Sequence, residues 1–202
     1  FMYFILKKKK KFSTYFIWAK KSLQQKIFKR LFNLGFPTAL QMLFEVAIFT
    51  ASVFLAGTLG TNVQAANQVA LNLSSMTFMI AVGIGVTATI RVGNQKGQHN
   101  YEELRRIAFS TFFLVFIIEA FFALGFILLK DLLPVFYIDN AEVIALAAQL
   151  LIVAALFQLS DGLQVVILGA LRGLQDVRYP TLICFFAYWV IGFPVSYLLG
   201  KE

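Results

Sequence analysis

One cysteine and one histidine in 202 residues leave this chain little with which to hold a metal or close a disulfide. Cys184 lies inside an apolar run, so it supports neither an intramolecular bridge nor a Cys-rich metal site, and His99 sits in a polar loop where it reads as a solvated residue. Charge is scarce as well: residues 46 to 90 contain no Asp, Glu, Lys or Arg. The glycine-rich GIGVTAT is followed by no GK[ST] and preceded by no strand, which excludes a phosphate loop. The opening FMYFIL runs straight into lysines, without the basic start or the small-residue cleavage site of a signal peptide.

What is abundant is apolar surface. A hydrophobic fraction of 59%, 23 Phe and a mean hydropathy of +0.77 are too apolar for a soluble domain of this length. A spanning helix needs about 20 mainly apolar residues. On that measure the chain predicts five spans, at 31 to 56, 67 to 90, 107 to 129, 143 to 171 and 179 to 200, with the polar stretch GTLGTNVQAANQ (57 to 68) as the first turn. The runs are too long for buried strands and lack the alternation of a membrane barrel, so the fold class is an all-α polytopic helix bundle.

The basic residues orient it. Residues 1 to 30, 91 to 106 and 172 to 178 hold sixteen of the 18 Lys and Arg, and the opposite loops hold only Lys130 and Lys201. The excess marks the cytoplasmic side, which places residues 1 to 30 inside the cell and the chain in the inner (plasma) membrane as a multi-pass protein. The run Lys7 to Lys11 is then a topology signal beside spans, and no nucleic-acid partner is expected. Both ends read as cuts: six apolar residues precede the basic loop like the end of an earlier helix, and GKE stops where the fifth span reaches the outside. The expected organisation is a linker over 1 to 30 and a helical lobe over 31 to 200.

Three acids lie deep in spans, Glu45, Glu119 and Asp161. Charge at the bilayer centre is costly, so intramembrane acids by default face the bundle interior and carry function. Thr38, Gln41, Glu45 and Ser52 share one face of the first span; Gln68, Asn72, Ser75 and Met79 share one of the second; Gln158, Asp161 and Gln164 share one of the fourth. Such stripes either glue helices by hydrogen bonds or line a watered cavity. The amides suit both readings. Glu45 and Asp161 favour the cavity, because an amide makes a structural hydrogen bond without the risk of ionisation. A carboxyl taken out of water favours its neutral form, and a second carboxylate beside it strengthens that preference. Such a pair can exchange a proton, or bind Na⁺ or an organic cation when deprotonated. Competition between a coupling ion and a cationic substrate for one site is antiport.

Glu119, inside FLVFIIEAFFALGF, has no polar neighbour on its own helix and either meets a partner from another helix or sits near lipid. Gly35, Pro37 and Pro180 are expected to open spans, Arg91 to end one at the cytoplasmic face by snorkelling, and Gly83, Gly85 and Gly93 to permit close helix packing. Pro194, well inside the fifth span, is either a hinge or a static kink. Among the many Phe, only Phe49 and Phe157 lie four residues from an acid, where a ring can receive a flat cation.

The segments LGFPTALQMLFEVAIFT, AANQVALNLSSMTFMIAVGIGVTATIRVGNQKG, DNAEVIALAAQLLIVAALFQLSDGLQVVILGALRGLQD and YPTLICFFAYWVIGFPVSYLLG resemble the C-terminal half of a multidrug and toxic compound extrusion (MATE) transporter of the NorM-like branch, over residues 24 to 200. The resemblance implies twelve helices in two rocking lobes that export cationic or amphipathic compounds in exchange for Na⁺ or H⁺. Helices seven to eleven would lie in this chain, facing an N-terminal lobe of the same protein. It also implies that the glutamate of LFEV and the aspartate of LSDG, here Glu45 and Asp161, are the cation-coupling acids, and that no cofactor and no metal beyond Na⁺ at those acids is needed. Gln41, Phe49, Gln68, Asn72, Ser75, Phe157, Gln158 and Gln164 are the residues expected to line the cavity. Asn67 departs from the family's AAHQ motif and removes a titratable group there.

Two rivals remain from this reading. A lipid-linked saccharide flippase of the same superfamily is expected to use a cationic cavity, and the spans offer buried acids with no Lys or Arg in mid-span. An intramembrane aspartyl protease needs a close acid pair, and Asp161 follows LS with a glutamate for a partner. A transporter, not an enzyme, is the expectation.

Overall fold

The structure, a computed structural model, describes residues 25–199; the lysine run at 7 to 11 and the basic residue at 201 lie outside the described residues. The described chain is helical. Helix α1 is Gln25–Thr58, α2 Thr61–Gly97, α3 Tyr101–Leu128 and α4 Ala141–Gly173; the last span is α5 (Arg178–Phe185), a π-helical segment (Phe186–Gly192) and α6 (Phe193–Leu199). All five spans are long and apolar enough to cross a bilayer. The chain divides into two units, Phe1–Gly35 and Phe36–Glu202. Of the first, the described part is the opening of α1; everything below concerns the second.

The helices run longer than hydropathy alone implies. The turn after α1 is only Leu59 and Gly60, and Gly60 adopts φ 127, a backbone region closed to most side chains. The amide-rich stretch that reads as a loop is instead the first two turns of α2. Ala66, with Val69, Ala70 and Leu73 just after it, is buried against Ala147, Leu151 and Ala155 of α4 and Ala123 and Phe126 of α3; Asn62 bonds Glu142 of α4 at 2.8 Å, and Gln64 and Gln68 are exposed. At the other end α2 continues six residues past Arg91, so Arg91 does not end it; Lys96, in the last turn, donates to the carbonyl of Leu174. Helices α3 and α4 each start one residue after an asparagine. Asn100 Oδ1 accepts from the Glu103 N–H at 3.2 Å, and Asn140 Oδ1 accepts from Glu142 N–H at 2.9 Å, the usual way to satisfy a helix's first orphan donors.

Pro37 does not open a helix. It lies inside α1, where it removes one donor, and its carbonyl accepts a hydrogen bond from Thr181 Oγ1 at 3.0 Å, tying α1 to the start of α5. Pro180 does lie in the first turn of α5. Pro194 lies in the first turn of α6, with Phe193 between it and the π-helical segment, and the N–H of Phe193 reaches back five residues to Tyr188 O. A ring without an N–H disrupts the four-residue ladder, and widening the preceding turn accommodates it.

Helices α2, α3 and α4 form the packed core, with clusters centred on Leu151, on Val115 with Val166, and on Val92 with Leu104. The seam between α2 and α4 is built on glycine. A Cβ added to Gly169 would lie 2.3 Å from Gly85 O, and one added to Gly173 would lie 2.6 Å from Thr89 O. Close backbone approach across small residues is how helices pack where lipid supplies no hydrophobic drive. Gly93 meets Gly173 in the same seam, whereas Gly83 has nothing within 4 Å and takes no part. Thr89 adds a hydrogen bond across it to Gly169 O at 2.8 Å.

Candidate functional site

A cavity of about 370 Å³ opens where α1 meets the core helices. From α1 it receives Glu45, Val46 and Phe49; from α2 Gln68, Leu71, Asn72, Ser74, Ser75 and Phe78; from α3 Glu119; and from α4 Phe157, Gln158 and Asp161. All three intramembrane acids therefore face one space. A second recess of about 270 Å³ shares Phe49, Phe157 and Asp161 with the first and adds Ile48, Ser52, Ser160, Gln164 and Tyr188. Asp161 thus borders both.

The helical periods explain these placements. Glu45 and Phe49 are one turn apart on α1, as are Phe157 and Asp161 on α4, so each helix presents an acid beside a ring. The two rings meet, with centroids 6.4 Å apart at an interplanar angle of 49°. On α2, Gln68, Asn72 and Ser75 form the amide-bearing wall. Their exposure in this chain is exposure to the cavity side, away from the α3 and α4 contacts.

The polar stripes resolve into two kinds of group. Most hydroxyls bond within their own helix: Ser52 Oγ to Ile48 O at 3.0 Å, Ser74 Oγ to Ala70 O at 2.9 Å, and Ser75 Oγ to Asn72 O at 2.7 Å. Such bonds leave the groups' acceptor lone pairs available and fasten no neighbour. The amides do fasten neighbours. Buried Gln158 donates from Nε2 to the backbone carbonyl of Glu119 at 3.3 Å and accepts from Thr77 Oγ1 at 3.1 Å, joining α4 to α3 and α2. Gln164 donates to the Tyr188 hydroxyl and so joins α4 to the last span, which places it in the second recess and outside the main cavity. Asn72 Oδ1 accepts from Tyr137 OH at 3.3 Å.

Two sequence expectations need correction, and the alternatives open for Glu119 are decided. Gln41 is buried and borders neither cavity: it lies beside Cys184 of α5, because its turn of α1 packs on the last span. Met79 is 63% exposed and falls outside the lining, since the α2 face drifts away from the cavity beyond Phe78. Glu119 does not sit near lipid; it is 1% exposed and packs against Gly162 of α4. Leu71, Ser74, Phe78 and Tyr188 enter the two cavities without a signal that marked them in advance. Asn67 is half-buried, with Nδ2 lacking a partner, and borders neither space.

A family model described as MatE matches residues 37–198, which contain every cavity-lining residue named above. The chain belongs to the MatE family. Among curated proteins it is 42% identical over 173 residues to the multidrug resistance protein MdtK of Proteus mirabilis, an alignment covering 86% of this chain and 38% of that protein. It is 39% identical over 194 residues to the multidrug resistance protein NorM of Photobacterium profundum, covering 96% of this chain and 42% of the relative. With NorM of Vibrio vulnificus strain YJ016 the identity is 44% over 172 residues, 85% of this chain and 38% of the other. The chain is thus a NorM-like MatE member that spans about two fifths of the length of the curated relatives it matches.

Proposed function

We propose that this chain is the part of a multidrug efflux antiporter that couples export of cationic or amphipathic compounds to entry of Na⁺ or H⁺, through Glu45 and Asp161. The observation that carries the reading is the convergence of those two carboxylates, from α1 and α4, on one cavity walled by amides and by the Phe49–Phe157 ring pair. Carboxylates attract a cation, rings accept its flat face, and amides offer adaptable hydrogen bonds, which suits many compounds of one charge class and demands none in particular. The relatives' printed names, multidrug resistance proteins all, point the same way.

Coupling follows from competition. Either the ion or the organic cation neutralises the carboxylates, and the empty charged site is the costly state to carry through an apolar barrier. Exchange is then favoured over leak. Helix α1 borders the cavity and the last span borders the second recess; tied to each other by the Thr181 to Pro37 hydrogen bond and outside the glycine-seamed core, they are the elements to move. Pro194 and the π-helical segment before it supply the bend such motion requires. No Lys or Arg lines the cavity, which speaks against the flippase reading. The protein is expected to be a transporter in the inner membrane, with an N-terminal lobe closing the cavity's open side and lipids around the rest.

The test is ethidium efflux from cells expressing the complete gene, comparing wild type with Glu45→Gln and Asp161→Asn at matched membrane abundance under imposed pH and Na⁺ gradients. Loss of gradient-driven efflux in both variants supports the assignment, and the effective gradient names the ion. Undiminished efflux in both refutes it.

A further inference from the structure

We infer that Glu119 is a third, separate proton-binding carboxyl of the cavity, loaded and unloaded in the same cycle as the Glu45–Asp161 pair. The inference rests on the transport reading above and adds a site to it.

Glu119 is 1% exposed, lines the cavity, and neither of its carboxyl oxygens has a hydrogen-bond partner among the described residues. A buried acid with nothing to bond is expensive in any folded protein and more so among lipid-facing helices, so its retention calls for a ligand. Its pose is not slack. The side chain occupies the notch left by a missing Cβ: one added to Gly162 would lie 2.7 Å from Glu119 Cγ and 3.1 Å from Cδ and Oε1. Below, the backbone carbonyl of Glu119 is held by Gln158 at 3.3 Å. Both the glycine and the glutamine flank Asp161 on α4.

The ligand is a proton. A carboxyl whose two oxygens meet no other polar group is satisfied most simply by taking up H⁺. A proton needs a single oxygen. The titratable groups facing this site are Asp161 from α4, which is within electrostatic reach of Glu119, and Glu45 from α1, which is within reach of Asp161; α2 presents only Gln68, Asn72 and two serines. The exchange is a carboxylic acid losing H⁺ to the cavity to become a carboxylate, and regaining it there. With Glu119 included, binding of one organic cation displaces more protons than the Glu45–Asp161 pair alone releases.

The test measures protons released per ethidium bound by the purified full-length protein, from the slope of log Kd against pH. Wild type is expected to exceed Glu119→Gln by up to one proton, the two proteins binding alike at low pH, where Glu119 holds its proton, and wild type binding more tightly at high pH. Gly162→Ala, which keeps the carboxyl and pushes it from its notch, is expected to show the same reduced slope. An unchanged slope in Glu119→Gln overturns the inference. Should Glu119→Gln fail to reach the membrane, wild-type protein is treated with dicyclohexylcarbodiimide, which modifies protonated carboxyls in apolar surroundings. Labelling at Glu119 that falls as pH rises or ethidium is added supports the proton site; absent or pH-independent labelling overturns it. Wild-type protein that neither binds nor exports ethidium contradicts the transport reading instead, and the labelling result then stands by itself.

Discussion

Replacing Gly169 with alanine should damage the molecule more than any other single methyl group added to its glycines. The added Cβ would sit 2.3 Å from Gly85 O, 2.9 Å from its carbonyl carbon and 3.1 Å from its Cα, where ordinary contact begins near 3.4 Å. All three obstacles are backbone, so no side chain can swing aside, and α2 and α4 must part by roughly 1 Å. Overpacking of that kind costs about 1–3 kcal/mol, and a clash with rigid backbone belongs near the upper end. The alanine recovers about 1 kcal/mol of helix propensity, for a net loss of about 2 kcal/mol. Gly83→Ala is the control, because a Cβ there meets nothing within 4 Å and only the propensity gain remains. Gly85→Ala, with Val165 Cγ1 and Val165 O both at 3.1 Å, should fall between. Unfolding of the purified full-length protein by sodium dodecyl sulfate titration reads the series, with Gly83→Ala and Gly169→Ala about 3 kcal/mol apart. Equal stability of those two would refute the glycine-seam account of how the core is held.

Other consequences are smaller or more local. Gln158→Met keeps the shape but removes the bridge among Thr77, Gln158 and the Glu119 carbonyl, and should cost about 0.5–2 kcal/mol in the same titration. Asn140→Ala removes the acceptor for Glu142 and Val143 N–H at the start of α4 and should cost about 1 kcal/mol, with efflux unaffected at matched abundance. Phe157→Ala should weaken binding of organic cations about 5- to 30-fold, measured by fluorescence displacement, because the lost ring face is worth about 1–2 kcal/mol to a cation placed over it.

Glu45 and Asp161 were legible because a charge within an apolar run is costly wherever it lies, so such residues stand out before any fold is known. Their neighbours Phe49 and Phe157 followed from the helical period alone. Glu119 carried the same local signal, yet its setting did not, because the notch that receives it is an absent side chain on another helix, Gly162, 43 positions away in the chain. The same limit hid Gly169 and Gly173: a glycine's value lies in what approaches it. Helix ends were the least visible feature. Thr61 to Gln68 is polar enough to suggest a loop, and only the burial of Ala66 and Val69 against α3 and α4 makes it helix. Gln41 shared the stripe of Glu45 but packs beside Cys184, since α1 faces two neighbours and its sequence does not say which residue meets which.

On this mechanism the coupling ion and the organic cation compete for the carboxylates of one cavity. Ethidium affinity of the purified full-length protein, titrated across pH and Na⁺ concentration for wild type and for Asp161→Asn, tests it most directly. Wild-type affinity is predicted to weaken as the coupling ion rises, and Asp161→Asn to bind weakly with the share of that dependence carried by Asp161 gone. Affinity that is independent of both ions in the wild type, or an ion dependence retained in full by Asp161→Asn, would contradict it.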